Sequence, residues 1–168
     1  DVIKLGSLDI RVMETPGHTG DSIVYLAGNA AFIGDTLFAP AFGSARCDFP
    51  GGDAGKLYDS LVKLYHLPAD TLLYLCHDYP KDGQEAVCRV SVEESMKTNI
   101  HLRAETSREE FIAMRTGRDS QLNLPKLILP SLQFNIAGGA APDSESNGVS
   151  YLRTPFNRTI EELIKGES

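Results

Sequence analysis

Apolar and polar residues alternate from Leu8 to Met13 (LDIRVM), and a period of two predicts a strand. Thr15-Pro16-Gly17 closes it, because proline fixes φ and glycine tolerates left-handed backbone, so the chain must turn there. Ser22 to Ala27 (SIVYLA) is a nearly unbroken β-prone run of the kind expected to be buried on both faces. A Gly28-Asn29 turn and a short return strand from Ala30 to Ile33 complete a hairpin. His18 therefore stands at one strand exit and Asp35 at the next.

Residues 39–52 carry prolines and glycines without periodicity and read as a loop crossing the end of these strands. The pattern then changes to helical spacing. Asp53 is a good N-cap, and Leu57, Leu61, Leu64 and Tyr65 fall at i, i+4, i+7 and i+8, forming one apolar stripe that Pro68 stops. His66, in the last turn, is read as helix-terminus or surface chemistry. Thr71 to Leu75 is a short buried strand with Cys76, His77, Asp78 and Tyr79 at its exit. Ser91–Glu94 and Ser107–Glu110 are capping boxes that predict a helix through Lys97 and another ending near Gly117. Pro125 and Pro130 make residues 122–136 an expected extended segment lying over the body, and Gly138 to Gly148 an expected loop. Strands with flanking helices give an α/β (α+β) class with a mixed sheet.

Composition narrows the function classes. The 168 residues have 42% hydrophobic content, enough for one globular domain with a tail. A net charge of −7, with no basic cluster, disfavours nucleic acid and anionic membranes as partners. No apolar run approaches the roughly 20 residues of a membrane span. Three cysteines, Cys47, Cys76 and Cys88, form no CxxC pair and fit reduced thiols in a cytoplasm better than a disulfide framework.

TPGHT at 15–19, GDTLF at 34–38 and CHDY at 76–79 resemble three ordered motifs of the metallo-β-lactamase superfamily. Ala45-Arg46-Cys47-Asp48-Phe49, with Gly51-Gly52-Asp53 and Leu57-Tyr58, is similar to a stretch of the persulfide (sulfur) dioxygenases, and the stretches 109–136 and 147–157 resemble the C-terminal extension of bacterial persulfide dioxygenase-like and β-lactamase-hydrolase-like proteins. The resemblance implies half of an αββα sandwich over residues 1–105, with an extension over 106–168 packed on the same domain. It makes His18 and Asp35 metal ligands. It makes His77 either a neighbour of the metal or a ligand to a second one. Arg46 is placed where the dioxygenases handle a glutathione-linked substrate, the alternative being a surface arginine paired with Asp48. Tyr79 either offers its hydroxyl to a bound thiol or oxygen species, or packs.

The superfamily's first motif, HxHxDH, has no counterpart, because His18, His66, His77 and His101 are far apart in sequence. Three readings follow. A persulfide dioxygenase-like protein would use Fe(II) to oxidise glutathione persulfide, or another thiol-linked small molecule, to sulfite, once the missing ligands are supplied. A glyoxalase II-like thioester hydrolase would use two metals, zinc among them. A truncated or split domain would hold no metal on its own and would self-associate or bind a complementing N-terminal half.

Overall fold

The computed structural model describes residues 1–80, 82–160 and 162. The chain divides into two compact units, Asp1–Gln121 and Leu122–Ser168. The first contains a six-stranded sheet in the order β1 (Val2–Leu5), β2 (Leu8–Glu14), β3 (Ile23–Ala27), β4 (Ala30–Phe32), β5 (Leu72–Tyr74) and β6 (Arg89–Ser91). All neighbours are antiparallel except β4 and β5. That parallel pair needs a crossover, which α1 (Ala54–Tyr65) supplies. The mixed sheet with helices α1, α2 (Val92–Thr98) and α3 (Arg108–Asp119) in this unit, and α4 (Ile128–Ile136) in the other, is the α+β class expected.

Register explains where the core lies. Leu26, Ala31, Leu73 and Val90 are paired in sequence across β3 to β6, so their side chains share one face. With Val24 they pack against Leu57, Leu61 and Leu64 of α1, Val92 of α2 and Phe111 of α3. The expected stripe on α1 is thus realised: its three leucines are fully buried and Tyr65 is partly buried. Asp53 caps the helix by accepting from the Lys56 N–H at 2.8 Å, and His66 Nδ1 donates back to the Val62 carbonyl, a helix-end role.

Burial of β3 on both faces does not hold. Val24 and Leu26 point into the core while Ile23 and Tyr25 are exposed, because the helices cover one side of the sheet. The outer face therefore carries the cross-strand row Val12, Tyr25, Phe32 and Tyr74, with the Phe32 and Tyr74 rings stacked at 5.0 Å.

Two helix expectations are corrected. The third helix runs through Gly117 to Asp119, since its end is held by contacts of Arg115 and Asp119 with a loop distant in sequence. It packs on α1 through Phe111 and Tyr58, within the first unit. Residues 128–136 are helical, not extended. Pro130 lies in the first turn of α4, where backbone N–H groups have no partner inside the helix and a proline costs little. In the second unit, Gln133 of α4 pins the chain at Arg153 by donating to its carbonyl and accepting from its N–H. Among the described residues no helix is long and apolar enough to cross a membrane.

Candidate metal centre

His18 follows a turn clamped onto α1. The Gly17 carbonyl accepts from the Asp53 N–H at 2.8 Å, the Pro16 carbonyl accepts from the Ser60 hydroxyl at 2.7 Å, and Gly17 sits directly on the Leu57 backbone. A side chain at Gly17 has no room: its φ is +147° and a Cβ would lie 2.3 Å from the Leu57 Cα. The His18 ring is then set by one further contact, Nδ1 at 2.7 Å from the Arg46 carbonyl oxygen. A carbonyl only accepts, so Nδ1 carries the proton and donates. In the neutral ring this leaves the Nε2 lone pair directed away from the loop.

Asp35 stands in a single 3-10 turn (Gly34–Thr36) immediately after β4, entered through Gly34 at φ +53°. Thr36 behind it is buried, with its hydroxyl 3.5 Å from that of Thr15. His77 leaves β5, the parallel neighbour of β4, which brings its ring to the same end of the sheet. The three side chains come together there: His18 Nε2 is 3.8 Å from Asp35 Oδ2, and His77 Nε2 is 3.2 Å from Asp35 Oδ1. Oδ1 is buried yet takes part in no hydrogen bond, so its approach to His77 is close without alignment.

A buried carboxylate oxygen without a hydrogen bond, beside an imidazole nitrogen, is a costly arrangement in a metal-free interior and a normal one for ligands of a cation. Imidazole and carboxylate donors are the set that iron and zinc accept. Among the described residues no group of three or more His, Cys, Asp or Glu closes around a point that could hold a metal ion. The donors fit a transition metal in kind.

Arg46 contributes its backbone to His18 and turns its guanidinium elsewhere. The fork binds Asp48, with Nε donating to Oδ1 at 2.6 Å, and lies over the Phe49 ring at 4.7 Å. The hydrogen bonds hold the Asp48 carboxyl below its ordinary range. Phe49 in turn meets the His18 ring edge-on at 5.9 Å. Tyr79 is exposed, stacked beside His77 at 6.1 Å and edge-on to Phe42. Burial, with the nearby Asp35 charge, raises the Cys76 thiol. Cys47 is pushed up to about 12 by burial and the Asp119 charge, which leaves it a protonated core thiol.

Sequence reading missed the polar structure behind the loop, where Arg115 and Asp119 are both buried. The available signal was their spacing: Phe111, Arg115 and Asp119 lie four residues apart on one helical stripe, so charges fall where the pattern expects apolar residues.

A model of the metallo-beta-lactamase superfamily matches residues 1–77. A probable metallo-hydrolase of Burkholderia pseudomallei is 45% identical over 94% of this chain, which covers 57% of that protein. A beta-lactamase hydrolase-like protein of Agrobacterium fabrum is 46% identical over 94% of this chain, which covers 36% of it. The chain thus spans little more than half of the first relative and a smaller share of the second. Among solved structures, ETHE1 from Myxococcus xanthus superposes with a TM-score of 0.72 at 41% identity, over 83% of this chain and 58% of that one. Strand-exit histidine and aspartate, the fold that brings them together and these likenesses agree: the chain belongs to the metallo-β-lactamase superfamily.

Proposed function

We propose that this chain carries part of the metal centre of a persulfide dioxygenase-like protein, with His18 and Asp35 as ligands and His77 beside them. The observation that carries the reading is the His18 ring: its Nδ1 is tied to the Arg46 carbonyl at 2.7 Å while its Nε2 faces Asp35 at 3.8 Å. An imidazole oriented by a backbone acceptor is how metal-ligating histidines are held. The reaction converts glutathione persulfide, O₂ and water into glutathione and sulfite, with release of two protons. Fe(II), when bound, supplies open positions where O₂ and a substrate sulfur meet.

The chain's own residues do the positioning. Asp35 brings a negative charge and His18 a neutral nitrogen to the same point. Asp48 and the Phe49 face hold the Arg46 guanidinium at the rim, where a planar cation suits a carboxylate of the glutathione moiety. Tyr79, exposed beside His77, can donate its hydroxyl to a bound sulfur or oxygen species. The absence of a CxxC pair and the core burial of Cys47 support a cytoplasmic setting.

A glyoxalase II-like hydrolase is the second reading, and Asp35 favours it. Its two carboxylate oxygens face different imidazoles, 3.8 Å from His18 and 3.2 Å from His77, so Asp35 with both histidines would hold two metals, which would supply activation of a water for hydrolysis. The likeness to a probable metallo-hydrolase supports it as well. A third reading is a non-catalytic truncated or split domain that holds almost no metal on its own and self-associates or binds a complementing half, supported by the open apolar row at Tyr25 and Phe32 on the outer sheet face. Metal analysis and oxygen electrode measurements on the intact protein separate these. The first requires about one iron per site and O₂ uptake with glutathione persulfide, the second about two metals and thioester cleavage without O₂ uptake. If the iron-loaded protein consumes no O₂ with a persulfide, the dioxygenase reading is lost.

A further inference from the structure

We propose that Arg115 and Asp119 are positioning residues for His18, acting through the backbone of residues 44–47. The inference rests on the metal-centre reading of His18 and deepens it. Both side chains are buried on α3, at 3% and 6% exposure. A buried ion pair is seldom a better stabiliser than well-packed apolar residues, so what the pair holds in place matters more than its own energy.

What it holds is loop backbone. Asp119 Oδ1 accepts from Arg115 Nε at 2.9 Å, and its Oδ2 accepts from the Cys47 N–H at 2.8 Å. Arg115 Nη1 donates to the Ser44 carbonyl at 3.1 Å. From the preceding turn, His101 Nδ1 accepts from the Ser44 N–H at 2.8 Å, and Asn99 donates to the Gly43 carbonyl at 3.2 Å. Ser44 is therefore held at both its N–H and its carbonyl, and Cys47 at its N–H. Arg46, between these fixed points, presents the carbonyl oxygen that receives His18 Nδ1–H at 2.7 Å.

The consequence is directional. A carbonyl at that place fixes both the rotation of the His18 ring and which nitrogen carries its proton, and so points an unprotonated Nε2 at Asp35. Without Asp119 the Cys47 N–H loses its acceptor and Arg115 its counter-charge, so the loop loses one of its anchors. The ring is then free to exchange tautomers. Neither charged residue reaches the ligands, and each acts only through the main chain.

The test is a long-range ¹H–¹⁵N spectrum of the imidazoles in the full chain, recorded without metal near neutral pH. The wild type should show His18 as the Nδ1–H tautomer. Asp119→Asn and Arg115→Lys should each convert it to a mixture and weaken Co(II) binding roughly 10-fold or more, the range for groups that orient a ligand. Phe111→Leu, on the same helix but outside the hydrogen-bonded chain, should lower thermal stability and leave the His18 tautomer unchanged. Amide dispersion identifies any variant that fails to fold, and Arg115→Lys, which keeps the charge, guards against that loss. The proposal is overturned if both polar variants, folded, keep the wild-type tautomer, or if Phe111→Leu shifts it as far as they do. A wild type that shows the expected tautomer and variant shifts but binds no cobalt keeps the positioning role and removes the metal-centre reading.

Discussion

Asp35 Oδ1 and His77 Nε2 stand 3.2 Å apart, buried on the carboxylate side, with no hydrogen bond between them. On the proposed metal-centre reading, a divalent cation is the partner that the buried Asp35 oxygen lacks. Replacing the carboxylate should then cost more than removing a group that only orients a ligand. Asp35→Ala is expected to weaken Co(II) binding by roughly 100-fold or more while leaving the unfolding midpoint close to wild type. Titration followed by visible absorption checks it, and unchanged cobalt affinity would remove Asp35 from the ligand set.

His77 separates the two catalytic readings. In a mononuclear site it is a neighbour of the metal, and His77→Ala should leave about one iron per chain in the intact protein. In a dinuclear site the same substitution should reduce metal content from about two to one. Metal analysis of the two purified proteins distinguishes the outcomes.

The Arg46 guanidinium binds Asp48 and lies over Phe49. Lysine keeps the charge but cannot form the fork or lie flat on the ring. Arg46→Lys is expected to raise KM for a carboxylate-bearing persulfide about 10-fold, the worth of one charge-assisted hydrogen bond, with a smaller change in kcat. Steady-state O₂ uptake measures both. A larger fall in kcat than rise in KM would place the guanidinium at the reacting atoms instead of the rim.

Local chemistry made part of this architecture legible. The Thr15-Pro16-Gly17 turn and the Gly34 step announce where β2 and β4 stop, and a histidine and an aspartate next to two strand exits are visible without coordinates. The α1 stripe was equally plain, because a helix on a sheet must repeat its apolar residues. What escaped is long-range. The end of α3 depends on Cys47 and Ser44, residues far earlier in the chain, so Gly117 looked like a stop and is an interior position. Pro130 looked like a breaker because its place in the first turn of α4 cannot be known until the helix start is. The strands β1 and β6 are short edge elements whose partners, not their composition, define them.

Gly17 joins the site to α1, and its substitution should be severe. The backbone there adopts φ +147°, and the nearest atoms to an added Cβ are the Leu57 backbone, which cannot give way without moving the helix. Gly17→Ala is expected to destabilise the first unit by roughly 3 kcal/mol or more, combining backbone strain with overpacking. Urea unfolding measures it. A loss below about 1 kcal/mol would mean that the Pro16-Gly17 turn is not seated on α1 as described.

His101 should make stability depend on pH. Its Nδ1 accepts from the Ser44 N–H and its ring is buried, so a second proton would have to enter a site that lacks solvent and faces Arg115 and Arg118. Burial first, and those two cations second, lower it to about 4. In the unfolded chain the same imidazole titrates near 6.5. Between these values the unfolded state binds a proton that the folded state refuses, so stability rises with pH across this window. The contribution is fully present above about 6.5, declines as the pH falls toward 4 and amounts to about 3 kcal/mol. Carboxylates also titrate toward the acid end of that range, but they do so in any variant. The measurement is therefore a comparison: urea midpoints near pH 7.5 and pH 5 for the wild type and for His101→Gln, whose amide oxygen can accept from Ser44 without titrating. The wild type should lose more stability between the two pH values than the variant does. Equal losses would show that the ring takes up its proton in the folded state, and that the loop it anchors is open to water.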